Sequence, residues 1–284
     1  MRNFENKIRK IVRIALKEDL GKGDITTDAI VPPDAQALGI IFPKEDGVLC
    51  GIEVAKIVFE EVDPRINFEI KMKDGEEFNP GMTIATIIGP AAGCLKAERT
   101  ALNFLQKLSG IATLSRKFVK LIGDKIKILD TRKTTPGLRV LEKYAVRTGG
   151  GYNHRFGLYD MVLIKDNHIE IAGGITNAVN AVRANCKKKN LFIEVEVKTM
   201  EELKEAVALK VNRVMLDNMS IEQIEKAIDI VRSADKKIEI EVSGGVNLDN
   251  VTNFKELDID YISIGALTHS APAIDIALKI KPLG

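Results

Sequence analysis

At 284 residues the chain exceeds the ~100–200 residues usual for one domain, so two domains are expected. Its 42 Lys and Arg against 40 Asp and Glu leave a net charge of +2, too weak a field to gather nucleic acid or anionic lipid, so any positive charge that matters is local. Cys50, Cys94 and Cys186 are odd in number and lack a C-x-x-C pair, which argues against a disulfide framework and structural zinc and fits a reducing cytoplasm.

The opening MRNFENKIRK is charged where a signal peptide is apolar, and no long apolar run occurs anywhere, so neither export nor a membrane span is expected. Residues 4–20 place Phe4, Ile8, Ile11, Val12, Ala15 and Leu16 at helical spacing, and GKGDITTD supplies turn chemistry that stops the helix. Between about 36 and 90 the runs LGIIF, GVLCG, INFEI and MTIATIIG, most of them separated by Gly or Pro, predict a small sheet-containing domain. The helical stretch CLKAERTALNFLQKLSGIATLSRKFVKLI leads out of it.

From residue 125 short Ile/Val-rich runs alternate with amphipathic helices: KIKILD, DMVLIKD, LFIEVEV, RVMLDN, KIEIEVSGG and YISIGA. Capping boxes at Thr199 with Glu202 and at Ser220 with Gln223 announce two of the helices. Strand, helix, strand at this spacing means parallel pairing. Six strands fall short of the eight in ~250 residues of a full barrel, leaving an incomplete α/β barrel or an open doubly wound sheet.

In both architectures the strand C-termini build the site. Arg132 and Lys133 follow the first strand, Lys165 the second, and GGGYNHRFG brings His154 and Arg155 beside three glycines that let backbone approach a ligand. Arginine forks and mobile lysine charges together suit a ligand carrying both carboxylate and phosphate. Glu194, Glu196 and Lys198 share a strand face, so Glu194 is open to an ion pair with Lys198. Glu196 and Asp217 lie at strand ends, where carboxylates bind ribose hydroxyls or assist a divalent cation carried by a polyphosphate. Ser243, Gly244 and Gly245, with Gly265 on the next strand, fit a barrel phosphate site. His154 and His168 lack a third ligand at zinc spacing. His269 reads as a capping or surface residue and Cys94 as packing. Walker, dinucleotide and G-x-S-x-G motifs are absent.

At these residues the chain resembles the quinolinate phosphoribosyltransferase family. The segment DTRKTTPGLRVLEKYAVRTGGGYNHRFGLYDMVLIKDNHI carries the resemblance, supported by LKEDLGKGDITTD, AERTALNFLQKLSGIAT, LDN, SGG and ISIGALTHSAPAIDIALKI. It implies an N-terminal α+β sandwich domain over 1–112 and an incomplete parallel α/β barrel over 113–284, with a C-terminal helix at about 270–284 packing back on the first domain. It also implies a homodimer in which each barrel is covered by its partner. By similarity Arg132, His154, Arg155 and Lys165 hold quinolinate, with Arg99 reaching in from the other subunit. Lys133, Glu196, Asp217, Ser243, Gly244, Gly245 and Gly265 receive phosphoribosyl pyrophosphate with Mg2+, and Lys133, Lys165, Glu196 and Asp217 carry the catalysis. The alternatives are a sibling group associated with molybdenum transport and a non-catalytic anion-binding barrel.

Overall fold

The computed structural model describes residues 2–186 and 191–283, and the chain divides into two compact units. One takes Met1–Arg116, Thr134–Gly150 and Leu267–Gly284, and the other Lys117–Lys133 and Gly151–Ala266.

In the first unit the amphipathic helix α1 (Arg2–Leu20) ends at the expected turn, but the turn residues continue into a short helix, α2 (Ile25–Ile30). Asp24 caps it, its carboxylate accepting the amides of Thr26 and Thr27. Strands β1 (Gln36–Pro43), β2 (Gly47–Val48), β3 (Asn67–Ile70), β4 (Glu77–Phe78) and β5 (Ala85–Pro90) follow, interrupted by helix α3 (Ile52–Val62). The run GVLCG is thus a two-residue strand leading into a helix. Left-handed Gly51 caps that helix, and its mixed Ile, Val and Phe are buried around most of its girth. Arg9 of α1 pairs with Glu60 and Glu61 of α3. Helix α4 (Ala91–Ile122) is the expected long helix, and α5 (Arg139–Thr148) follows the basic loop.

Residues 276–283 do not form the expected helix. They form a strand, β12 (Ile276–Leu283), that pairs antiparallel with β1 along its whole length, from Gln36 opposite Leu283 to Pro43 opposite Ile276. Ile276, Leu278 and Ile280 alternate with Ala277, Lys279 and Lys281, and the chain follows that period of two. The resulting antiparallel sheet has the order β12-β1-β5-β3.

The second unit is a six-stranded parallel sheet of β6 (Lys127–Leu129), β7 (Val162–Ile164), β8 (Ile193–Val197), β9 (Arg213–Asp217), β10 (Glu239–Ser243) and β11 (Tyr261–Ser263), in the order β6-β11-β10-β9-β8-β7. The first strand lies beside the last, and β6 and β7 are the two edges. That is the order of a closed barrel cut once, whereas a doubly wound sheet reverses direction in mid-sheet. Helices α6 (Asp166–Ala172), α7 (Ile175–Asn185), α8 (Met200–Ala208) and α9 (Ile221–Ala234) provide crossovers, and α10 (Ala266–His269) follows β11. Ser220 and Gln223 form the complete capping box at α9. At α8 Thr199 accepts the Glu202 amide, but the Glu202 carboxylate takes the Lys198 amide instead of that of Thr199.

The free edge of β6 is not left bare. Tyr152 pairs with it as a single parallel bridge, its amide donating to Ile128 and its carbonyl accepting from Asp130. This contact delivers the two residues that follow Asn153 to the strand's C-terminal end.

Candidate active site

The C-terminal ends of the parallel strands surround a cavity of about 540 Å³. Eight of the expected site residues line it, namely Arg132, Lys133, His154, Arg155, Lys165, Glu196, Asp217 and Ser243, so the strand ends do converge on one site. Gly244 and Gly245 adjoin Ser243, and Gly265 lies between β11 and α10. Arg99 is exposed on α4 in the first unit and is not among the lining residues. Leu163, Met215, Glu241 and Ser263 on the wall escaped sequence reasoning, and Thr131 and Asn218, polar residues at predicted strand ends, had no role assigned.

Buried Asp130 anchors one side. Its carboxylate accepts the His154 amide at 2.9 Å and the Asn153 side chain, a use of ionised oxygens that holds the loop in place. The glycines before this loop serve packing: a Cβ on Gly149 would overlap the Ala112 carbonyl of α4, and the Gly149 carbonyl accepts from Arg116. Gly149 therefore lets helices α5 and α4 approach, and Gly150 supplies a left-handed backbone, φ 97°.

Lys165 follows β7 and donates to Glu196 at 2.6 Å. Register explains the contact, since Leu163 faces Glu194 and Ile164 faces Val195 on the neighbouring strand. His168 Nδ1 accepts the Lys165 amide at 3.0 Å, fixing the backbone where that lysine leaves the strand. Its role is a helix cap. Lys198 pairs with Asp166 at 2.7 Å, so the ion pair between Lys198 and Glu194 does not form.

Glu194 instead belongs to a buried charge cluster beneath the cavity. His154 Nε2 lies 3.0 Å from Glu194 and 3.4 Å from Glu241, and the Arg213 guanidinium lies 3.0 Å from Glu241 and 4.0 Å from Glu194. Burial by itself lowers the pKa of His154, but the two glutamate carboxylates beside Nε2 outweigh it and push it up to about 9. The Arg155 amide aims at Nδ1 from 2.8 Å and favours the neutral ring, yet two carboxylates prevail over one dipole. Burial and the charge of Glu241 lift Glu194 to about 7. Glu241 is also penalised by burial, but His154 and Arg213 hold it below the usual carboxylate range. His154, Glu194 and Glu241 come close enough to share a cation, but Arg213 already supplies the positive charge.

Burial and the neighbouring Arg132 pull the Arg155 ionisation down. Among the lining residues, Arg132, Lys133, His154, Arg155 and Lys165 make one basic group, set against Glu196, Asp217 and Glu241. Cys94 is fully buried and its thiol is pushed up to about 11 by burial, as expected of packing. His269 is exposed beside Ser270.

Residues 24–109 match the family described as quinolinate phosphoribosyl transferase, N-terminal domain, and residues 111–279 match its C-terminal domain. The chain belongs to the quinolinate phosphoribosyltransferase family. A chloroplastic nicotinate-nucleotide pyrophosphorylase [carboxylating] of Arabidopsis thaliana is 43% identical over 96% of this chain and 82% of its own length. A probable nicotinate-nucleotide pyrophosphorylase [carboxylating] of Bacillus subtilis is 41% identical over 96% of this chain and 93% of its own. The crystal structure of NadC from Streptococcus pyogenes superposes with a TM-score of 0.92 at 43% identity, covering 98% of this chain and 97% of that one. Membership in this quinolinate phosphoribosyltransferase family gives no support to the molybdenum-associated and non-catalytic alternatives. Among the described residues no helix is long and apolar enough to cross a membrane.

Proposed function

We propose that the chain transfers the phosphoribosyl group of phosphoribosyl pyrophosphate to quinolinate, with loss of one carboxylate as carbon dioxide, giving nicotinate mononucleotide and pyrophosphate. The observation that carries this reading is the single cavity at the strand ends that combines five cationic side chains with the carboxylates of Glu196 and Asp217. One carboxylate does not need that many cations; two carboxylates beside phosphate do.

Arg132, Arg155 and Lys165 hold the dicarboxylate. Both ring nitrogens of His154 are turned to protein atoms, so His154 contributes charge and shape more than a hydrogen bond. Lys133 neutralises the leaving pyrophosphate, Glu196 and Asp217 face the sugar, and the Ser243–Gly245 turn and Gly265 receive phosphate through backbone amides. Oxygen donors of this kind suit a hard cation, and Mg2+ arriving on the diphosphate supplies charge neutralisation of the leaving group near Glu196 and Asp217. The protein's share of the rate is positioning: it brings the pyridine nitrogen to the anomeric carbon and excludes water. Ribosylation turns the ring into a pyridinium, whose positive nitrogen stabilises the electron pair left on the adjacent carbon when the carboxylate departs as carbon dioxide. A proton from solvent then completes the C–H bond, so no further organic cofactor is required.

The same reading makes the protein a cytoplasmic homodimer with shared sites, Arg99 completing the partner's quinolinate pocket. Incubation with quinolinate, phosphoribosyl pyrophosphate and magnesium is expected to release pyrophosphate and form nicotinate mononucleotide. Nicotinate in place of quinolinate is expected to give no product, and equal turnover of the two acids overturns the assignment.

A further inference from the structure

A carboxylate in the wall of a cavity that takes a dianion is out of place unless protein cations neutralise it. Glu241 is such a residue: it lines the cavity and is fully buried. Its Oε2 accepts a hydrogen bond from Arg213 Nη1 at 3.0 Å and lies 3.4 Å from His154 Nε2. One oxygen thus stands between two cationic groups, one at the start of β9 and the other in the loop that carries Arg155.

Strand register builds this arrangement. Arg213 stands opposite Glu194 on β8 and Glu239 on β10, and Met215, two residues on, stands opposite Glu196 and Glu241. Arg213, Met215 and Asp217 share one face of β9, the face that Asp217 turns to the cavity, so Glu241 lies one layer nearer the cavity than Arg213. The guanidinium is fixed from below by the Glu239 carboxylate at 2.7 and 2.9 Å and by the Tyr261 ring, 4.0 Å from its centroid.

The charged groups facing His154 come from several elements. Glu194, Arg213 and Glu241 stand on β8, β9 and β10. Asp130 after β6 accepts the His154 amide, and the charge of Arg132 acts on Arg155. Lys165 after β7 is turned to Glu196, β11 brings only Tyr261 and Ser263, and Arg155 and Asp160 follow in the same loop. Glu194 lies nearest to the ring, but burial and the charge of Glu241 lift it to about 7, so it is only partly ionised at neutral pH. Glu241 is the lasting anion: burial disfavours its charge, yet His154 and Arg213 hold it below the usual carboxylate range.

We propose that Glu241 is a positioning residue of the acid subsite: backed by Arg213, it holds His154 as an imidazolium, so that the loop presents a fixed positive charge to the bound dicarboxylate. The inference rests on the quinolinate reading above.

Glu241→Gln keeps the shape and removes the charge, and its effect on quinolinate affinity is expected to change sign with pH. At about pH 6, below even the ordinary histidine value, His154 is protonated in both proteins. A wall relieved of one anion then binds the dianion as tightly as the wild type or more tightly. At about pH 8.5 the His154 midpoint of the variant, lowered by about one to two pH units, leaves the ring mostly neutral, and quinolinate is expected to bind on the order of 3–10-fold more weakly. Calorimetry reads the affinities. The chain has three histidines, so the ring signal of His154 can be followed by NMR without any ligand. Glu241→Asp keeps the charge but withdraws it by one methylene, and is expected to move the midpoint in the same direction by less; it carries the test if Glu241→Gln does not fold. A merely structural role gives binding weakened by the same factor at both pH values, and simple repulsion gives tighter binding at both. Either result overturns the inference, as does an unmoved His154 midpoint. A wild-type protein that binds no quinolinate removes the functional reading itself, and this inference with it.

Discussion

Lys165 Nζ donates to Glu196 Oε2 at 2.6 Å across the β7 and β8 pair, so a cation on the side assigned to quinolinate and a carboxylate on the side assigned to the sugar are each other's counter-ion. Glu196→Gln frees Lys165 and removes one negative charge from the cavity. Glu196→Gln and Asp217→Asn are each expected to lower kcat by on the order of 100-fold, as for loss of a group that stabilises transition-state charge. Quinolinate affinity is expected to hold, and in Glu196→Gln to hold or increase. Calorimetry showing lost quinolinate binding in either variant reverses the assignment of the two sides.

Arg99 is expected to serve the partner's barrel. An Arg99→Ala chain refolded with a Lys133→Ala chain, each inactive alone, gives about half mixed dimers if association is random. One site in each mixed dimer then keeps both residues, and activity recovers to about a quarter of the wild-type level. If Arg99 acted within its own chain, every site would lack one residue, and confirmed mixed dimers would stay inactive.

The buried cluster sets a pH dependence of stability. His154 ionises at about 9 in the folded chain against 6.5 ordinarily, so the folded form binds the extra proton between those values. Its stabilisation is complete below 6.5 and is lost as the pH rises through about 9. Glu194, lifted to about 7 from 4.5, adds a loss of the same sign at lower pH. The His154 contribution is about 3 kcal/mol, readable as a falling urea midpoint. In His154→Gln the alkaline part of that slope is expected to disappear; an unchanged slope would show that the proton resides elsewhere.

Gly110 lies within α4, where alanine ordinarily stabilises a helix by about 0.5–1 kcal/mol. Here a Cβ would overlap the Pro272 carbonyl, and the neighbouring Gln106 exchanges hydrogen bonds with Ile274 and Ile276. The clash involves rigid backbone on both sides, so Gly110→Ala is expected to destabilise by about 1–3 kcal/mol. A thermal midpoint at or above that of the wild type refutes the close approach.

The parallel sheet was legible because its strands are short, apolar runs ending in polar residues, and those ends are where the cavity lies. Helix α3 escaped because Ile, Val and Phe around most of its circumference resemble a buried strand. The alternation of Ile276, Leu278 and Ile280 with lysines was visible, but it yielded to the expectation of a terminal helix. Glu194 was read along its own strand, toward Lys198, whereas its partners stand on other elements: His154 in the loop beside β6 and Arg213 on β9. Glu241 was missed for the same reason, since nothing local distinguishes a solvated glutamate on a strand from one held beneath a cavity by a histidine and an arginine. The left-handed Asn218 is likewise a property of the turn it borders, and Leu-Asp-Asn alone does not declare it.

The pairing of β12 with β1 has a consequence for biosynthesis. Residues 36–43 leave the ribosome long before residues 276–283 exist, so the antiparallel sheet must wait with an unfilled edge while the intervening parallel strands are made. Long sequence separation between partners slows folding, and exposed strand edges invite pairing with other chains. The nascent protein is therefore exposed to misassembly at an edge that only residues 276–283 complete, and a ribosome stalled before residue 276 would display β1 as an open template.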